Sequence, residues 1–336
     1  MNYDVKTSSD PEQKPAQARA VGALIRRIYK DRTVRGTDDQ LYEIYPAALT
    51  PDRGAYLANI VREVRPSRTV EIGLAWGLST LFILRALLEN GHDAPHVVMD
   101  PFQWYGYHDA ALRMLRDSGL ERMVEFYPEA SVYLLSRLAD EGRQFDFAFI
   151  DGDHSYEAAF CDFWLLDPLM KPGGVIVFDD VWAEGVDRVC CLAQEQFGYR
   201  MHSENLDSGF IYRPLMRTYV KSDRPGSRRR SEIRRLKRQF NAARSATILA
   251  VDEILDPIRV DRKREAAQMS AHAGLTALGK GDRNLARLHF YRSLRDRPLK
   301  LKTYMRLART FLPVGLARIL SGRTVRSGRR RANRGA

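Results

Sequence analysis

From residue 50 to residue 215 the chain alternates short apolar runs with longer segments whose apolar positions recur at helical spacing. The runs RTVEIG (68–73), HVVMD (96–100), RMVEFY (122–127), FDFAFID (145–151) and GVIVFDD (174–180) read as strands, and the stretches between them as helices. A helix start stands at Thr50–Pro51, with Thr50 as N-cap, Pro51 in the first turn, and Ala55, Leu57, Ile60, Val61 and Val64 on one side. Regular β–α alternation predicts an α/β fold with a doubly wound, mostly parallel sheet covered on both faces. The last pieces, GYRMHS (198–203) and SGFIYRP (208–214), lie close together and read as a terminal antiparallel hairpin.

Charge divides the chain where the pattern changes. The 336 residues carry 54 Lys+Arg and 42 Asp+Glu, a formal +12. Residues 1–220 hold 23 basic and 33 acidic side chains, whereas residues 221–336 hold 31 and 9. The expected organisation is an N-terminal extension (1–35), the α/β domain (36–215) and a basic linker (216–230) around KSDRPGSRRR. A basic helical region (231–320) and a disordered basic tail (321–336) follow. In the helical region Gly274, Ala286, Phe290 and Pro298 have the spacing of one tetratricopeptide-like helix pair.

Composition narrows the class. At 44% hydrophobic the chain has material for a core, which excludes disorder for most of its length. No apolar run approaches the roughly 18 residues of a membrane span, and the polar start MNYDVKTSSDPEQKP is not a signal-peptide core. Cys161, Cys190 and Cys191 show no CxxC spacing, so neither a disulfide scaffold nor a zinc ribbon is expected. A soluble, cytoplasmic protein is the expectation.

In a doubly wound sheet, ligands bind outside the carboxyl ends of the strands, so the loops there carry the candidate chemistry. The first is Glu71-Ile-Gly73-Leu-Ala75-Trp-Gly77-Leu-Ser79, a strand entering a small-residue turn and then a helix. Gly73 and Gly77 would let a ligand lie against the backbone, with the helix N-terminus behind it. Asp100 closes the next strand, where an acidic residue commonly holds ribose hydroxyls; a turn Asp before Pro101 is the bland alternative. Asp151 and Asp153 follow one strand, and Asp179 and Asp180 its neighbour. Carboxylates so crowded resist ionisation unless a cation sits among them, and hard oxygen ligands suit magnesium, calcium or manganese. Helix capping by Asp153 and Asp180 is the competing explanation. His154 follows Asp151 by three, and a neutral imidazole there could take a proton from a substrate hydroxyl. The aromatic stretch Phe102–His108 is either a pocket floor or core packing.

The E-x-G-x-x-x-G turn, the acidic end of the second strand, FDFAFIDGDHSYE and LMKPGGVIVFDDVW together resemble the class I S-adenosylmethionine-dependent methyltransferases, a Rossmann-like family. Within it they resemble the branch of macrolide-sugar O-methyltransferases and cephalosporin-hydroxylase-like proteins. The resemblance covers roughly residues 40–215. It implies that Glu71, Gly73 and Gly77 line the methionine end of S-adenosylmethionine, Asp100 the ribose and Ser131 the adenine side, with Ser79 and Asp151 also on the cofactor. It implies metal ligands at Asp151, Asp179 and Asp180 for a divalent cation, magnesium by expectation, with His154 as catalytic base. The sequence departs from the pattern at Ala75, where glycine is usual, and at Ala130, where an acidic residue often sits.

The expected function is therefore metal-assisted O-methyl transfer to a hydroxyl of a sugar, glycan or polyol-like small molecule. A nucleic-acid methyltransferase is the enzyme alternative, although the turn after the fourth strand is Asp151-Gly-Asp-His154 and not Asn/Asp-Pro-Pro-aromatic. A non-catalytic binding module on the same fold is the alternative from another class. Residues 221–336 are expected to meet an anionic surface, such as the inner face of a membrane, or an acidic partner. Specific nucleic-acid recognition has little support, because no basic strand motif carries interleaved aromatics.

Overall fold

The computed structural model describes residues 13–92, 94–206, 214–223, 234–248 and 250. The chain divides into two units, Met1–Asp252 and Glu253–Ala336. The second unit, with the tetratricopeptide-like pair and the basic tail expected there, lies outside the described residues. The first opens with α1 (Gln13–Asp31), a small hairpin of β1 (Thr33–Arg35) and β2 (Leu41–Glu43), and α2 (Pro51–Val64). The alternating core follows as β3 (Thr69–Ile72), α3 (Leu78–Glu89), β4 (His96–Met99), α4 (Gln103–Gly106), α5 (Ala110–Asp117), β5 (Val124–Tyr127) and α6 (Ser131–Asp140). It continues through β6 (Phe145–Ile150), α7 (Tyr156–Leu166), β7 (Met170–Phe178) and α8 (Glu184–Phe197), and closes with β8 (Tyr199–Leu206) and β9 (Pro214–Lys221).

Seven strands pair in the order β5-β4-β3-β6-β7-β9-β8. The first five run parallel, and β9 inserts antiparallel between β7 and β8. Every residue of β3 and β4 is buried, as expected of parallel strands covered on both faces. Side-chain alternation then separates two cores. Phe147, Phe149, Val175 and Val177 face a layer that includes α1, α2 and α3, while Ala148, Ile150, Ile176 and Phe178 face one that includes α6, α7 and α8. This is the expected doubly wound architecture.

The expected boundaries move at both ends. The described part of the extension assigned to 1–35 joins the core, because Ala18, Val21, Ile25 and Ile28 of α1 are buried in the first layer. The hairpin pairs Thr33–Arg35 with Leu41–Glu43, across the expected boundary at 36. The closing strand is Pro214–Lys221 and not 208–214, so the sheet extends past 215 into the expected linker. Pro214 opens this strand, the position where a missing N–H costs the ladder least. Beyond it, a helix over 234–248 buries Leu236 and Ala243 in the second core and stacks Phe240 on Trp164, with centroids 5.3 Å apart.

Pro51 starts α2 as anticipated, at the position where its missing N–H would be unpaired anyway. The buried face is Gly54, Leu57, Ala58, Ile60 and Val61, with Ala55 exposed. Gly54 is required there, since a Cβ would run into the ring of Phe82 on α3. That close approach fixes the first turn of α2, which carries Arg53.

Candidate active site

β6 and β7 pair in register to their ends, with Ile150 opposite Phe178, so the residues that follow emerge side by side. Asp151, His154 and Asp180 each offer a donor atom, and these atoms lie within 4.8 Å of one another. His154 Nε2 is 2.9 Å from Asp180 Oδ2 and 3.9 Å from Asp151 Oδ1. Asp180 has φ 49°, a left-handed backbone that a non-glycine residue adopts only when its surroundings enforce it. The capping alternative does not account for this cluster. Ser155 caps α7 by accepting the N–H of Ala158, while α8 follows Ala183 with no side-chain cap. Asp153 stands apart, exposed and accepting the N–H of Ser155 at 2.8 Å.

Sequence reasoning missed Arg53. The first turn of α2 carries its guanidinium into the pocket, where Nη2 donates to Asp179 Oδ1 and, at 2.9 Å, to Asp180 Oδ1. Its side chain is only 13% exposed, and Nε is buried without a partner among the described residues. No local signal tied it to carboxylates more than a hundred positions away; only the fixed start of α2 hinted at its direction. Trp182, half exposed, donates Nε1–H to Asp180 Oδ1 at 2.8 Å and stands edge-on to His154 at 6.5 Å.

The charges of this pocket set one another. Burial pushes Asp179 well up from the usual carboxylate range, helped by Asp151, and burial also raises Asp151. Burial works the same way on Asp180, but the bond to His154 and the charge of Arg53 outweigh it and bring Asp180 down to about 2. Asp151 and Asp180 raise His154 to about 10. Without a cation in the pocket, both carboxylates favour the protonated imidazole over the neutral one expected. The sign follows from linkage. A pKa raised on folding stabilises fully below the unfolded value near 6.5 and loses that contribution as pH rises through about 10. We expect nitrogen-detected NMR of the metal-free protein at pH 8 to show a doubly protonated His154 ring, and Asp180→Asn to lower its pKa. A neutral ring at pH 8 would contradict the pairing.

The cofactor side is less as expected. Gly73 has φ 94°, and a Cβ there would strike the carbonyl oxygen of Asp151. Gly77, at φ 80°, would meet Met114 and Ala111 of α5. Gly73 thus lets backbone pass against backbone, and Gly77 lets α5 side chains close on the turn. Glu71 is fully buried and accepts from Ser79 Oγ, from Thr80 Oγ1 at 2.7 Å and from His96 Nε2 at 2.8 Å. Glu71 and Ser79 therefore tie β3 to α3 and β4 instead of facing the crevice.

Asp100 accepts four hydrogen bonds, from the N–H groups of Leu74, Ala75 and Phe102 and from Gln103 Nε2, between 2.7 and 3.2 Å. Three of the donors, Leu74, Ala75 and Gln103, meet at Oδ2, and only the Phe102 N–H reaches Oδ1, which keeps room for a further donor. Asp100 thus shapes the 73–77 turn through Oδ2. Ser131, first residue of α6, donates to Asp162 Oδ1, and burial lifts the Asp162 carboxyl to about 7. The 102–108 segment packs over the turn: Tyr107 stands edge-on to Trp76 at 4.9 Å, and His108 stacks on Tyr42 at 3.9 Å. Burial and the charges of Asp100 and Asp151 raise the Tyr107 hydroxyl.

Comparison with known proteins finds similarity over this part of the chain. A family described as "Methyltransferase domain" matches residues 70–181, the stretch from β3 through the Asp179–Asp180 pair. Caffeoyl-CoA O-methyltransferase of Populus kitakamiensis is 27% identical over 171 residues, 47% of this chain and 70% of its own. Catechol O-methyltransferase of Niastella koreensis is 27% identical over 166 residues, 47% of this chain and 69% of its own. Among solved structures, the O-methyltransferase from Bacillus cereus in complex with SAH aligns over 65% of this chain and 94% of that one, at 21% identity and a TM-score of 0.46. Residues 70–181 thus match a methyltransferase domain, and about half of the chain is similar to O-methyltransferases.

Proposed function

We propose that the acceptor hydroxyl binds against Asp151, His154 and Asp180 while S-adenosylmethionine lies over the 73–77 turn. One observation carries this reading: Gly73 abuts the carbonyl of Asp151, so the turn and the carboxylate pocket meet within one backbone contact. The methyl donor and the acceptor oxygen are thereby brought together, and most of the catalytic gain lies in that alignment. The α3 N-terminus has no side-chain cap and opens on the same turn, which suits the carboxylate of the methionine moiety.

The acceptor class we favour carries two neighbouring hydroxyls. Catechols, caffeoyl groups, sugars and polyols share that unit, and two of the relatives are named for the first two. Asp151, Asp180 and His154 converge as hard-cation ligands do, and the raised Asp151 gains from a positive charge beside it, so a divalent ion fits. Asp151 and Asp180 would hold it; when bound it supplies a lower pKa at the acceptor hydroxyl. In its neutral form, which grows as pH rises toward about 10, His154 would take the acceptor proton, and the neighbouring carboxylates would stabilise the imidazolium that results. Trp182 stands beside His154 at the edge of the pocket.

A cytoplasmic location belongs to this reading, as does an anionic surface or acidic partner for residues 221–336. Calorimetric titration with S-adenosylmethionine and its demethylated product tests the core of it: saturable binding of both is expected. No affinity at millimolar ligand would overturn it.

A further inference from the structure

The resident cation of the carboxylate pocket is an amino-acid side chain. Arg53 reaches in from α2, is largely buried, and bonds Asp179 Oδ1 and Asp180 Oδ1 through a single nitrogen. Asp179 Oδ1 also accepts the N–H of Asp180 at 2.8 Å, and Asp180 Oδ1 also accepts Trp182 Nε1. What remains open toward His154 is Asp180 Oδ2, with Asp151 beside it. We propose that Arg53 competes with the divalent ion for this pocket by occupying Asp179, so that the ion is held through Asp151 and Asp180 and Asp179 becomes a ligand only when the guanidinium is gone. This rests on the function proposed above, since it assumes that a divalent ion enters.

The physical reasoning is one of ligand count. Hard-cation sites tighten with each added carboxylate, and a site with a fixed guanidinium beside it is weaker by one ligand and by one repulsive charge. Arg53 cannot give up its charge at any ordinary pH, and its pairing with Asp179, Asp180 and Asp151 strengthens the protonated form further despite burial. Its Nε, buried without a partner among the described residues, shows that the geometry is organised around Nη2 and the two carboxylates.

Manganese binding to the full chain, read by electron paramagnetic resonance, tests the competition without turnover. Arg53→Gln is expected to tighten manganese binding at least about tenfold, with Arg53→Lys between it and wild type. Adding Asp179→Asn to Arg53→Gln is expected to return affinity to near the wild-type value, because the gain comes through Asp179. Unchanged or weaker binding in Arg53→Gln overturns the proposal, and so does a gain that survives Asp179→Asn, which would make Arg53 a simple repulsive charge. Absence of manganese binding in every variant also overturns it. Calorimetric binding of the demethylated cofactor to the same samples reports that each is folded, and it stands or falls separately from the ion.

Discussion

A chain ended after residue 213 will not fold. The cut removes β9, which lies between β7 and β8, and with it the fully buried Met216, Thr218 and Tyr219. Met216 and Tyr219 side chains alone are worth about 1.5–3 kcal/mol each when buried, set against a domain stability of only about 5–15 kcal/mol. The Tyr56 hydroxyl, 2.7 Å from Thr218 Oγ1, also loses that partner, and β8 has nothing left to pair with. Ending the chain after residue 223 keeps the whole sheet but uncovers Trp164, on which Phe240 stacks. That variant is expected to fold with a lowered melting temperature and to bind the demethylated cofactor. Circular dichroism melts and calorimetry on both truncations decide this; a cooperative melt in the shorter one would refute the assignment of β9 to the core.

His154→Ala is expected to cost roughly 10²–10⁴ in rate, the usual worth of a positioned base, while cofactor affinity changes little. The distinguishing feature is the pH profile. Because Asp151 and Asp180 hold the His154 proton up to about 10, the wild-type rate without added metal should climb through the alkaline range and not level off near 6.5. His154→Ala should remove that climb, and Asp180→Asn should move it to lower pH, since Asp180, 2.9 Å away, joins Asp151 in holding the proton. A profile identical in wild type and an active His154→Ala would exclude the base role.

The parallel core was legible because its signals are local. Buried tetrads such as Thr69–Ile72 and His96–Met99 read as interior strands, and the helices between them follow by spacing. Asp151, Asp180 and His154 were legible for the same reason: each sits within a few residues of a strand end. What was lost is what depends on partners far along the chain. Glu71 looks like a ligand-facing acid from sequence, yet its oxygens accept from Ser79, Thr80 and His96, and Asp100 Oδ2 takes backbone N–H groups of the 73–77 turn, partners that only the fold brings near. Arg53 is the converse, an ordinary helix residue whose role appears only once α2 is laid across the ends of β6 and β7. Pro214 misled the strand boundary because proline ends most runs and here begins one.

The most direct test is the fate of the methyl group. S-adenosylmethionine labelled with carbon-13 in its methyl should be incubated with the enzyme, a divalent metal salt and acceptors bearing two neighbouring hydroxyls, from catechol to a sugar diol, and the product read by NMR. The label is expected on an acceptor oxygen, with its rate sharply reduced in Asp151→Asn and His154→Ala proteins that still bind the demethylated cofactor. Label on nitrogen or carbon, or transfer to oxygen that both variants sustain at the wild-type rate, would contradict the assignment of this pocket to O-methyl transfer.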